Sequence, residues 1–272
     1  MTDGVDSSVR ARFAAARSRI GSVALVERHS RGHTLLEFSL ASALGAMLTG
    51  AMLMSYTTNL AMFRLQAHAE QRVAAARAAA AVLTTSLAQT AYRGPDATPH
   101  TGVPLFGCEG HRIALRNGTD CGARSLGGDS LRIDYVADAV SAWQSRNGKP
   151  KDCSGNVVEP TLEQWNWQRS QFYIGREGAA RQYLTCRNTL AQQNKGTPQA
   201  QVEGIERLEF SYLLAGSVVP VSAAAMRPGD WAAVVGIDYK VTARDTLRRE
   251  AVVAGRVALR NSEGLAQTER FR

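Results

Sequence analysis

Between Leu35 and Phe63 the chain carries one charged residue, Glu37, and no other feature constrains its folding as much. Inside that stretch, FSLASALGAMLTGAMLMSY, Phe38 to Tyr56, is a run of 19 uncharged and mostly apolar residues. A helix needs about 20 such residues to cross the hydrocarbon of a bilayer, where each backbone N–H and C=O must be satisfied within the segment itself. The run therefore predicts a membrane span. A cleaved secretory signal is the simpler alternative, since Ala67-His68-Ala69 has a small-x-small form. Its apolar region would be about twice the usual signal length and would open on an acid, which argues against it. Arg28 and Arg31 precede the run, a bias that keeps the N-terminus in the cytoplasm and exports everything after Phe63.

The 272 residues, 44% of them hydrophobic, suffice for one sizeable domain with an extension, or for two small domains. The formal charge of +8 includes an excess in residues 1–32, where six Arg face Asp3, Asp6 and Glu27. Elsewhere the charges are scattered singly and no block of like charges appears, so direct nucleic-acid binding is not predicted. Cys108, Cys121, Cys153 and Cys186 all lie downstream of the apolar run and form no C-x-x-C pair. Their even number on one side of a membrane segment predicts two disulfides in an oxidising compartment. Three pairings are open. Proximity and low loop cost favour Cys108 with Cys121 and Cys153 with Cys186.

Glu37 needs an explanation, because a carboxylate in a membrane segment costs on the order of a few kcal/mol near the centre and less near an edge. Placement in the headgroup layer would relieve much of that cost and leave it without a role. A functional role requires a partner. If the chain is cut after Gly32, the new α-amino group on His33 is a cation able to pair with a carboxylate about one helical turn away in a neighbouring copy.

Gly32-His33-Thr34-Leu35-Leu36-Glu37 resembles the type IV prepilin motif, a Gly followed by a mature N-terminus with Glu in its fifth position. His33 stands where that family usually has Phe. The resemblance implies a membrane prepilin peptidase that cuts between Gly32 and His33 and N-methylates His33, with Glu37 as the assembly carboxylate. It also implies the α+β type IV pilin fold, a long N-terminal helix packed on an antiparallel β-sheet domain. The expected organisation is a leader at 1–32, a transmembrane and assembly half-helix at 33–64, an amphipathic stem at 65–94 and a periplasmic sheet domain at 95–272.

The stem has its own support in the residues. Leu65, Ala69, Val73, Ala76, Ala80, Leu83 and Leu87 recur at three- and four-residue steps, in a segment rich in Ala. No Pro interrupts residues 34–92, so a single helix of 59 residues, on the order of 90 Å, is expected, stopped by Gly94-Pro95.

Residues 95–128 hold ten Gly and Pro with Cys108 and Cys121 and show no sustained period, which predicts an irregular cross-linked loop. SLRIDYVAD alternates Leu131, Ile133 and Tyr135 with Arg132 and Asp134, the pattern of a half-buried strand with a solvated polar face. A polar segment from Ala142 to Trp167 reads as loop. SQFYIG and RQYLTCR read as a hairpin, and GIERLEFSYLL, WAAVVGIDYKVTAR and EAVVAGRVALRN as further strands of an antiparallel meander. AYRG at the end of the long helix, then DSLRIDYVA, LTCRN, VEGIERLEFSY, WAAVVGIDYKV and a terminal VALRN, are in their order similar to the PilW class of minor pilins. That similarity implies a structural subunit at the start or tip of a type IV pilus, resident in the bacterial inner membrane before assembly. Its implied partners are the prepilin peptidase, other minor pilins, the major pilin and a tip adhesin. A type II secretion pseudopilin shares the same leader, helix and sheet, and a membrane-anchored periplasmic enzyme or binding protein is the alternative from another class.

No G-x-S-x-G, H-E-x-x-H, Walker A or G-x-G-x-x-G sequence occurs, and neither a cofactor nor enzymatic activity is predicted. His100, Cys108, His111 and Cys121 match no standard zinc spacing, and oxidised cysteines do not ligate, so no metal site is predicted. Trp143, Trp165 and Trp167 read as cover for a core or sheet edge rather than a carbohydrate or partner surface. Glu206 with Glu209 and Asp134 with Asp138 read as solvated strand faces.

Overall fold

A computed structural model describes residues 34–93, 102–114, 119–158, 167–177, 181–189, 197–245 and 248–259. The chain divides into two compact units, Met1–Leu60 and Ala61–Arg272. One apolar helix and antiparallel sheets make it an α+β protein.

Helix α1, Leu35–Ala88, is 54 residues long and meets the length and composition needed to cross a membrane. In the first unit, through Asn59, its large apolar side chains are exposed, Leu36 at 73%, Phe38 at 71% and Met52 at 69%. The hydroxyls inside the apolar run bond back to the helix. Ser42 donates to the Phe38 carbonyl at 2.8 Å, Thr49 to Gly45 at 2.8 Å and Thr58 to Met54 at 2.9 Å. Such back-bonding leaves each hydroxyl satisfied without water, which is what a lipid environment demands.

In the second unit the same helix changes character. Ala76, Ala79, Ala80, Leu83 and Leu87 are buried in a core shared with Leu131, Ile133, Phe172, Leu184, Leu208 and Ile237. Ala76, Ala80, Leu83 and Leu87 belong to the predicted stripe and Ala79 widens it, and the alanines let the helix backbone come close to the sheets. Burial falls away toward Leu65, which is 42% exposed. Thr84 and Tyr239 share a hydroxyl–hydroxyl hydrogen bond of 2.8 Å, and Arg72 forms an ion pair with Asp245.

The helix stops four residues before the expected end. Gln89 and Thr90 donate to the carbonyls of Ser86 and Leu87 in a tightened last turn, and Ala91 takes a left-handed backbone with φ of 60°. The Ala91 N–H then donates to the Asp134 carbonyl at 3.0 Å, and the Tyr92 carbonyl accepts from the Val136 N–H at 2.9 Å. Bonds to a strand thus replace further helical bonds, an exchange that no local propensity reveals.

The described residues form thirteen strands. The first seven are β1 Leu105–Cys108, β2 His111–Ile113, β3 Cys121–Arg124, β4 Ser130–Val136, β5 Trp143–Gln144, β6 Pro150–Lys151 and β7 Trp167–Glu177. The rest are β8 Arg181–Asn188, β9 Gln199–Glu203, β10 Ile205–Leu214, β11 Val221–Ser222, β12 Val234–Arg244 and β13 Glu250–Ala258. One sheet has the order β1-β4-β7-β8-β9 and the other β11-β10-β12-β13, all antiparallel, with β2–β3 and β5–β6 as separate two-stranded ribbons. Residues 102–114 and 119–128 are therefore not irregular throughout. Strands of three or four residues are too short to show a period, and these surround the Cys108–Cys121 disulfide.

The two sheets meet at Gly127-Gly128. Gly127 accepts from the Leu208 N–H and Asp129 donates to the Leu208 carbonyl, both at 2.9 Å, around a parallel bridge between Gly128 and Leu208. A Cβ at Gly128 would stand 2.2 Å from the Leu208 carbonyl oxygen, and Gly128 has φ of +86°. Gly128→Ala is expected to cost about 2–3 kcal/mol, from backbone strain and separation of the sheets. Urea unfolding followed by tryptophan fluorescence measures it; a loss within error of zero would mean that the junction yields freely.

Candidate functional site

The N-terminal end of α1 is built from two residues of the prepilin-like sequence. Thr34 precedes the helix, and its hydroxyl oxygen accepts from the Glu37 N–H at 3.3 Å. In return a Glu37 carboxylate oxygen accepts from the Thr34 N–H at 3.1 Å. This is a reciprocal capping box, which satisfies two backbone donors that a helix start leaves open. Glu37 also lies at the positive end of the helix dipole. Both features favour an acceptor side chain at this position. Gly32 and His33, expected to flank the cleaved bond and to carry the methyl group, lie outside the described residues.

The side chains that follow the box are mostly apolar and are exposed. Leu35 is 89% exposed, and the helix stays exposed through Asn59, so the site is a carboxylate at one end of an apolar rod. The capping sequence Thr-x-x-Glu was legible in the amino-acid sequence. Reading Glu37 only as an assembly carboxylate passed over it.

The structure joins Cys108 to Cys121 and Cys153 to Cys186, with Cα separations of 5.7 and 6.0 Å. The first ties the end of β1 to β3, and the second ties the loop after β6 to the fully buried Cys186 of β8. Closing loops of these lengths, 13 and 33 residues apart in sequence, is worth about 3–4 kcal/mol each in the chain-entropy model. Two of the residues weighed as zinc ligands, Cys108 and Cys121, are thus bonded to each other. His111 is exposed, with its Nδ1 2.8 Å from the Glu109 carbonyl, and His100 lies outside the described residues. No group of three or more His, Cys, Asp or Glu suited to a metal occurs among the described residues.

Asp134 corrects the reading of a solvated strand face. Every residue of β4 is buried, and Asp134 and Arg132 are 0% and 1% exposed. The Arg169 guanidinium reaches both Asp134 carboxylate oxygens, with Nε at 3.0 and 3.1 Å and a terminal nitrogen at 2.7 Å. Arg132 Nε lies 3.3 Å from the same carboxylate, and its guanidinium also donates to the Val103 carbonyl. Burial pushes the Arg132 guanidinium pKa down, against the pull of Asp134. The cluster is a structural one: among the described residues it brings no nucleophile together with a base.

Glu206 and Glu209 do lie on a partly solvated face, paired with Arg244 and with Lys240. Trp143 is 62% exposed rather than covering a core, Trp167 is half-buried in β7, and Trp165 lies outside the described residues. A cavity of about 340 Å³ opens beside the second disulfide, walled by Ser86, Trp143, Lys151, Asp152, Phe172 and Gln201. The Asp152 carboxylate accepts from the Ser154 and Asn156 N–H groups and the Asn188 amide, each at 2.9 Å, which is a turn-building use.

Four carboxyls set the response to acid, one of them Asp238, which its hydrogen bond with Arg256 holds below the ordinary value. At Asp138, burial alone would raise the pKa, but the Ser141 and Val140 N–H groups and the Tyr92 and Ser141 hydroxyls hold it below the ordinary value. At Asp245 the same burial effect is outweighed by the Arg249 N–H and by Arg72. Depressed carboxyls contribute stability that is present above their unfolded pKa and lost as pH falls through the folded one. Asp129 has the opposite sign. Burial raises its pKa despite donation from the Phe210 and Gly110 N–H groups, so its share is lost as pH rises. The thermal midpoint is expected to fall between about pH 5 and 3, and Asp138→Asn to flatten that fall. A scan of midpoint against pH for both proteins checks this; unchanged slopes would remove Asp138 from the account.

No family model matches the chain, and no curated protein matches it.

Proposed function

We propose that the chain is a type IV pilus minor pilin, a structural subunit of the PilW class that helps initiate pilus assembly or stands at the filament tip. One observation carries the reading. The sequence Gly32 to Glu37 runs directly into a helix whose first unit exposes an apolar surface at every turn and whose opening carboxylate is Glu37. In this reading the pilin fold is the α+β arrangement of α1 with the antiparallel sheets. The inner membrane holds the helix before assembly, with the sheet unit in the periplasm, where the two disulfides form. The prepilin peptidase cuts between Gly32 and His33 and methylates the new amine. Apolar helices then leave the lipid and pack on those of other minor pilins and the major pilin, and Glu37 meets the amine of an adjacent subunit. A tip adhesin is a further partner.

The test is N-terminal mass spectrometry of the protein from membranes with and without the prepilin peptidase. A mature chain that begins at His33, only when the peptidase is present, supports the reading. An uncut Gly32-His33 bond in both membranes, or a chain that begins near Gln71, would end it in favour of an anchored or secreted binding protein.

A further inference from the structure

Three of the four outer strands of the two sheets are short. β1 has four residues, β11 two and β9 five, the last with a register shift between Leu184 and Thr185. β13 differs. It runs nine residues in unbroken register with β12, from Gly236 opposite Ala258 to Arg244 opposite Glu250. Among the described residues no strand pairs with its other side. Proteins blunt long edges with Pro, Lys or a bulge, because an open ladder of N–H and C=O groups recruits another strand. Glu-Ala-Val-Val-Ala-Gly-Arg-Val-Ala contains neither Pro nor Lys, and Val252 on its outer face is 51% exposed.

We propose that β13 pairs antiparallel with β13 of a second copy of this chain, about a two-fold axis at Val253. Charge along the strand selects both the partner and the register. Glu250, Val252, Ala254 and Arg256 share the exposed face. With the axis at Val253, Glu250 stands opposite Arg256 of the partner subunit, and Val252 opposite Ala254 of the partner subunit. Symmetry makes each pair twice. Within each copy Arg256 already pairs with Asp238 and Glu250 with Arg244, both at 2.5 Å and both directly across β12. The joined sheets therefore carry, twice, a row of alternating sign: Asp238, Arg256, then Glu250 of the partner subunit and Arg244 of the partner subunit. A slip of two residues sets Glu250 opposite an Ala and breaks the row, so the register is specified by cross-strand charge as well as by the backbone ladder. The argument stands on the sheet unit and does not depend on the pilin reading.

The full chain purified in detergent micelles is the sample, with mass by light scattering and covalent cross-linking as readouts. Wild type is expected to be a dimer at micromolar concentration. Val252→Lys, or Ala254→Lys on the same face, should raise the dimer dissociation constant at least about tenfold, with the far-UV spectrum unchanged. Val253→Cys should form a covalent dimer under mild oxidation, and Val252→Lys in the same chain should abolish it. A monomeric wild type would overturn the proposal, since the edge would then be closed or unused. A dimer that survives both lysine substitutions would also overturn it, by placing the contact on another surface such as α1.

Discussion

Asp134→Ala is expected to lower the unfolding free energy by about 3–5 kcal/mol, the usual cost of breaking a buried ion pair from one side. The carboxylate is fully buried and holds Arg169 through both of its oxygens, with Arg132 Nε beside it at 3.3 Å. Its removal leaves the 1% exposed Arg132 with its charge uncompensated by Asp134 in a low-dielectric interior. Burial already pushes that guanidinium pKa down, and Asp134 is the group that opposes it. The penalty therefore belongs to the stranded cation more than to the lost attraction. Joint replacement of Arg132, Asp134 and Arg169 by apolar residues of similar volume should cost much less than Asp134→Ala alone. Urea unfolding of the chain in micelles measures both. A loss below about 1 kcal/mol for Asp134→Ala would show that water reaches the cluster and that burial does not govern it.

The second large effect is expected at Glu37, and it rests on the proposed function. Glu37→Ala should leave membrane insertion intact, since removing a carboxylate from the edge of an apolar helix only favours the lipid. Assembly into the pilus should fall at least about tenfold, because a charge-assisted bond to a neighbouring amine is worth more than 1.4 kcal/mol when it is held out of water. The capping box supplies a competing explanation, for Glu37 also accepts from the Thr34 N–H at 3.1 Å. Losing a cap costs about 1 kcal/mol. Glu37→Gln separates the two effects. Gln keeps an acceptor for Thr34 and lacks the charge, so it should rescue a capping defect but not an assembly defect. Counting surface pili with each variant decides between them, and normal piliation with Glu37→Gln would sink the role of the charge.

The elements legible in the sequence were those long enough to show a period. The apolar helix, the stem stripe through Ala76, Ala80, Leu83 and Leu87, the β7–β8 hairpin, and β10, β12 and β13 all appear where alternation or helical spacing placed them. β5 and β6 inside the segment read as loop, β9, β11 and the three short strands around the first disulfide were not legible, because strands of two to five residues hold too few side chains to establish alternation. At the candidate site Glu37 was legible by its isolation in an apolar stretch. The Thr34 partner was legible as Thr-x-x-Glu, a pattern with a physical meaning independent of any assembly role.

The polar face of β4 misled the reading, whereas that of β10 did not. Arg132 and Asp134 alternate with Leu131 and Ile133 as they would on a solvated face, yet both are buried. Alternation reports that a strand has two chemically different faces, and it does not report what covers the polar one.

By itself, the sequence determined where the chain is apolar over a membrane-spanning length, where an acid interrupts that length, and which faces of the stem and long strands seek a core. These follow from composition and local spacing, which act through solvent and backbone geometry alone. Only the tertiary structure decided that α1 ends at Ala88, that Arg132 and Asp134 are interior, and that among the described residues β13 is an outer strand whose charges face partners on β12. Each of those depends on a partner far away in sequence, such as Asp134 for Ala91, Arg169 for Asp134 and β12 for β13.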